Sequence, residues 1–238
     1  MLQLKFDIKL FALLSIAFII STIVGTVSHE YGHYAVAKYL GYSSTVSYGY
    51  TNWNDKKIDQ FIDSTLLNYS SKIELQLDFP EKNKFYLIQQ KQIKDGFWIT
   101  FGGPFQTMFT GTVGFLFVFF QRKKIQYANA LSFSQWIIIF LSLFWLRQLA
   151  NLVAWVAGYF FKGQFALNGD EIGLAIHLGL PLGTILIITA FIALGLLSFI
   201  IFEILPANTR LTFILAGLFG GILGYFFWLF WIGPILLP

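Results

Sequence analysis

Residues 29–33 read His-Glu-Tyr-Gly-His. On a helix, positions four apart share a face, so His29 and His33 can aim two imidazoles at one cation. Histidine nitrogen binds Zn²⁺ at ~2.0–2.1 Å. Glu30 would stand beside such an ion, placed to take a proton from water. The chain holds only three histidines, which makes the pattern rare by chance. Ionisable groups within an apolar helix are costly and mark function by default, which argues against two incidental surface imidazoles.

A catalytic zinc takes three protein ligands and keeps one position for water. Cysteine is absent, so the third ligand must come from Asp170, Glu171, Glu203 or His177. Asp170 leads because it opens the apolar run GDEIGLAIHLGL; the alternative is a simple charge at a helix N-terminus, which favours a negative side chain. Glu171 is next. His177, two turns further along, reads as an interfacial histidine or a support for the site, and Glu203 as an interfacial carboxylate. Arg147 and Asn151 lie four apart and share a face that must point into a bundle or toward water. Asn151 could hold a substrate carbonyl or a developing oxyanion. Arg147 could anchor Asp170 or Glu171, or both polar groups could simply join helices.

The elements that must position these groups are membrane elements. Of 238 residues, 56% are hydrophobic, 19% aromatic and 12% charged, against roughly 25% charged in an ordinary soluble domain. Mean hydropathy is +0.66. Half of the charged side chains fall between Asp55 and Asp95, seven Lys against seven Asp or Glu, a solvated neutral surface rather than a phosphate-binding one. An ordinary soluble enzyme, a disulfide scaffold and a nucleic-acid partner are thereby excluded.

A spanning helix needs ~20 apolar residues. Five candidates occur, at about residues 10–40, 97–120, 131–161, 181–205 and 211–236. The fold class expected is an all-α polytopic membrane bundle. The whole chain, 1–238, would form one domain, with a polar β-rich insert at residues 41–96 on the membrane surface. Within that insert KIELQLDF (72–79) alternates strictly, the signature of a half-buried strand. Residues 43–51 and 84–89 are weaker strand candidates. Gly102, Gly103, Gly111 and Gly114 would let span two approach the first helix closely.

The motif order resembles the site-2 protease family of intramembrane zinc metalloproteases. HEYGH ends a first hydrophobic helix, a polar segment follows, and FGGPFQTMFTGTVGF opens the next span. Gly103-Pro104-Phe105-Gln106 is similar to the family's Gly-Pro motif, with Gln106 near its usual Asn. Gly169-Asp170-Glu171 stands where the family has Asp-Gly, and the Asn-and-Pro stretch expected shortly before that Asp is missing. The resemblance covers about residues 19–180. It implies one Zn²⁺ per chain held by His29, His33 and Asp170, with Glu30 as the base. It further implies a membrane-protein or membrane-peptide substrate cut by regulated intramembrane proteolysis, in a bacterial inner (cytoplasmic) membrane. A strand at residues 72–79 would then present the substrate as an added strand.

The alternatives are a proteolytically inactive zinc-binding scaffold and a proton or metal-ion transporter built on His29, Glu30 and Asp170. Transporters often show symmetry between halves, and none is visible. Basic segments at Lys5/Lys9, residues 122–124 and Arg210 place the N-terminus inside and the C-terminus outside. The resemblance places the end of span one on the cytosolic side, the opposite outcome. Orientation, regulatory partner and oligomeric state stay open.

Overall fold

The computed structural model describes residues 5–238. Among them five helical stretches are long and apolar enough to cross a membrane: Ile8–Tyr39, Lys82–Gln126, Phe133–Lys162, Thr184–Ile204 and Arg210–Leu236. The chain is a helical integral membrane protein. Leu13, Ile16, Ile20 and Val24 of the first span are exposed, a stripe that suits lipid and would be a liability in water.

Span one is a single helix, α1 (Ile8–Tyr39), whose N-cap Asp7 accepts from the amides of Lys9 and Leu10 at 2.9 and 3.1 Å. Such a cap satisfies amides that a helix start otherwise leaves unpaired. A two-stranded antiparallel hairpin follows, β1 (Ser43–Val46) with β2 (Thr51–Asn54), pairing Ser43 with Asn54 and Val46 with Thr51. Next come α2 (Lys56–Glu74), capped by Asp55, and α3 (Lys82–Gln126), which carries span two. Span three is broken: α4 (Phe133–Ser142) and α5 (Leu146–Lys162) join through a 3₁₀ turn at Leu143–Trp145. Gly111 and Gly114 of α3 lie against Trp145 and the backbone at Leu141 and Ser142, so the break sits where two helices touch backbone to backbone. The short α6 (Asp170–His177) precedes α7 (Thr184–Phe199), α8 (Arg210–Phe227) and α9 (Gly233–Leu236).

The bundle divides along α1. Its first half packs into an apolar core with Leu14, Phe18, Val118, Ile139, Ile204 and Phe213. Gly220 and Gly224 of α8 lie on the α1 backbone near Ser15 and Ile19. Its second half carries the buried polar residues Thr26, His29, Glu30 and His33 and meets α3 at Gly32. There Gly32 and Gly102 face each other so closely that a Cβ on either would strike the other's carbonyl. Small residues permit that approach, and dispersion across the seam rewards it.

The insert departs from expectation. It does hold a small sheet, and residues 43–51 contain β1 and the start of β2, but most of it is helical. Residues 72–74 finish α2, and residues 84–89 lie inside α3. Alternation over eight residues needs a partner strand to become a sheet. Here the longer helical period of Ile58, Phe61, Thr65 and Tyr69, started by Asp55, carries on through it. Gln76, at φ 55°, then ends the run. Leu75 and Leu77 are exposed rather than lined along a buried face, so the substrate-presenting strand at residues 72–79 does not exist.

Candidate metal centre

His29, Glu30 and His33 are all buried, and one ligand atom from each lies within 4.8 Å of the others, close enough to hold a metal ion. Asp170 comes closer still to the imidazoles. Its Oδ2 is 2.7 Å from His29 Nε2 and 3.3 Å from His33 Nε2, and the two Nε2 atoms are 3.2 Å apart. Ligands at ~2.0–2.2 Å around a tetrahedral zinc are about 3.3–3.5 Å from one another, so the triangle is close to one face of that figure, shortened along one edge.

The ring orientations are fixed from behind. His33 Nδ1–H donates to the Ile99 carbonyl at 2.6 Å. His29 Nδ1 lies 2.8 Å from Thr107 Oγ1, whose hydroxyl donates to the Gly103 carbonyl at 3.1 Å, so the imidazole is the donor. Both rings therefore turn an unprotonated Nε2 toward Asp170. Three electron-pair donors then face one another in a buried space, an arrangement a cation relieves.

Local sequence explains each placement. Gly103 is required beside the imidazoles, because a Cβ there would come within 2.6 Å of His29 Nε2 and collide with His33. Pro104, inside α3, has no N–H to give the Thr100 carbonyl one turn back. Gly169, at φ 112°, starts α6 in a conformation that glycine alone adopts easily, turning Asp170 toward α1.

The Glu30 carboxylate lies beside the two imidazoles and is held by partners of its own. Thr51 Oγ1 donates between the Glu30 carbonyl at 2.9 Å and its Oε2 at 3.1 Å, while Arg147 Nη2 is 3.9 Å from Oε1. A cleft of about 490 Å³ opens here, walled by Glu30, His33, Thr51, Arg147, Asn151 and Asp170. The shared face expected for Arg147 and Asn151 is thus a cleft wall. Arg147 pairs with Glu30, not with Asp170 or Glu171. Glu171 is buried and takes both its contacts from Asn151 Nδ2, at 3.3 Å each. Burial raises its carboxyl, with Asp170 adding to the effect. The remaining candidates lie apart. His177 is exposed, its Nδ1 donating to the Gly173 carbonyl at 2.8 Å, and Glu203 is exposed on a π turn ending span four. Gln106 donates to Thr110 at 3.1 Å within α3, its Cβ beside Gly32 of α1 rather than at the imidazoles.

Sequence reading overlooked Thr107, Thr51 and the Ile99 carbonyl. Thr107 had a signal: it lies four residues after Gly103, on the face turned to α1. Thr51 had none, since only the hairpin fold brings it to Glu30. The chain matches no family model, no curated protein and no solved structure.

Proposed function

We propose that the protein is a zinc metalloendopeptidase that hydrolyses peptide bonds in or near membrane-spanning segments, as the resemblance to site-2 proteases implies. One observation carries this reading: two imidazole Nε2 atoms and the Asp170 carboxylate converge beside Glu30, in a cleft walled by residues of the first four spans. His29, His33 and Asp170 would hold the ion, which when bound supplies Lewis acidity that lowers the pKa of water toward ~7 and polarises a carbonyl. Glu30 takes a proton from the attacking water and hands it to the departing amine. Thr51 fixes one carboxylate oxygen of Glu30 and leaves the other turned to the cleft. Asn151 stands on the wall where a carbonyl would lie, and its amide would exchange Glu171 for that oxygen.

The test is zinc content and peptide turnover in detergent-purified protein. Wild type should carry about one zinc per chain, His33→Ala and Asp170→Ala almost none. Glu30→Gln should keep its zinc and lose ~10²–10⁴ in turnover of apolar peptides. Zinc retained in Asp170→Ala would move the third ligand elsewhere. Turnover unchanged by Glu30→Gln would overturn the catalytic assignment, and zinc without any turnover would favour the inactive scaffold.

A further inference from the structure

Arg147 belongs to two cavities. Besides the polar cleft it lines a second, of about 370 Å³, between α1, α5 and α8. The walls of this second cavity are apolar, with Phe18, Leu143, Val153, Leu218 and Ile222 among them. Thr107, which accepts from His29, also lines it. The volume is in the range of sites that take small ligands or side chains. At the junction the Arg147 Nε is buried and has no partner. A buried N–H in that condition is destabilising, and an acceptor arriving there relieves it.

Resting on the proteolytic reading above, we propose that this cavity receives large apolar side chains of the bound peptide on one side of the bond to be cut. Arg147 at its mouth donates to a backbone carbonyl of that stretch. Charge selects a peptide over a lipid anion. Glu30 already lies 3.9 Å from the guanidinium, and Asp170 and Glu171 line the same cleft. A second anion would meet three carboxylates, whereas an amide carbonyl is neutral and accepts the same fork of N–H groups. Arg147 is thus a peptide-binding residue, and the apolar walls of the cavity set the side-chain preference. Side chains filling the cavity are continuous with a backbone lying past Glu30 and Asp170.

The cavity can be narrowed without a collision. Gly221 lines it, and a Cβ added there meets nothing within 4 Å. Ala150 offers a second position, on α5. The probes are lysine-flanked synthetic peptides with a leucine-rich or an alanine-rich tract, each carrying one photo-leucine, presented in nanodiscs to the zinc-loaded full chain. Photo-leucine should cross-link to Leu218 or Val153. Gly221→Leu and Ala150→Leu should each cut that yield at least tenfold. Both should lower kcat/KM for the leucine-rich peptide at least tenfold relative to the alanine-rich one, with zinc content unchanged. Arg147→Gln should weaken cross-linking of both peptides alike, and Arg147→Lys should restore part of it.

Cross-links confined to the lipid-facing groove along α1 and α3, at Phe101, Phe105 and Phe109, would overturn the proposal. So would an unchanged leucine-to-alanine preference in both narrowed variants, or a fatty acid that leaves with Gly221→Leu while peptide cross-links stay. Cross-linking at Leu218 without cleavage would instead sink the proteolytic reading and keep the pocket.

Discussion

Helix α3 passes through two different surroundings along its 45 residues. From Lys82 to Asp95 it stands with α2 in a polar helical hairpin, and over that stretch only Phe85 and Asp95 are buried. The hairpin is held by a few rings: Tyr69 stacks on Phe79 at 5.5 Å, and Lys84 lies 4.3 Å above Phe61. At its base Tyr42 donates to Asp95 at 2.8 Å and Lys91 pairs with the same carboxylate at 3.0 Å. Burial, with Asp95 next to it, holds the Tyr42 hydroxyl well above its ordinary range. From Ile99 to Thr107 the same helix lies against α1 with no room at Gly102 or Gly103. Backbone geometry is common to both halves, so the difference lies in what a Cβ would meet. In the hairpin most positions tolerate most side chains; at the seam one methyl group displaces an imidazole.

Four substitutions test that contrast. The largest effect is expected at the seam, where Gly103→Ala should reduce zinc from about one per chain to roughly a tenth or less, measured by elemental analysis of purified protein. Full zinc in this variant would mean the two helices yield, and the contrast would fail. Thr107→Val removes the acceptor behind His29 while nearly keeping its shape. A chelator competition should show affinity reduced about 10–100-fold, and an unchanged affinity would deny Thr107 its orienting role. Asp95→Asn, at the boundary, should cost about 0.5–1.5 kcal/mol in thermal unfolding and leave zinc alone. Zinc loss there would show that hairpin and seam are one unit. The smallest effect belongs to α2: Leu67 is 84% exposed, and Leu67→Gln should shift stability by no more than about 0.5 kcal/mol. A larger loss would reveal that this face is covered in the membrane-bound protein.

Much of the site was legible because its chemistry is local. HEYGH needs only a helix to bring His29 and His33 together, and apolar run lengths alone marked the five spans. Asp170 was also within reach, as a carboxylate at the head of an apolar run. What escaped depends on distant partners. Arg147 could be placed on a face but not paired, because its partner Glu30 lies on another span. Asn151 and Glu171 are 20 residues apart and meet only because α5 and α6 fold back together. The supposed strand at residues 72–79 failed for a related reason. Periodicity within eight residues says nothing about whether another strand is there to pair with it.

Timing during synthesis follows from where Asp170 is encoded. It meets His29 across 141 residues of sequence, whereas Ile99 and Thr107 reach the imidazoles across 66 and 78. A chain made from its N-terminus completes α1, α3 and the oriented pair of imidazoles well before the carboxylate exists. Two nitrogens alone are an incomplete ligand set for a structural or catalytic zinc. On the proposed ligand set, tight metal retention would wait for α6, so bound metal would report that α1, α3 and α6 have found one another.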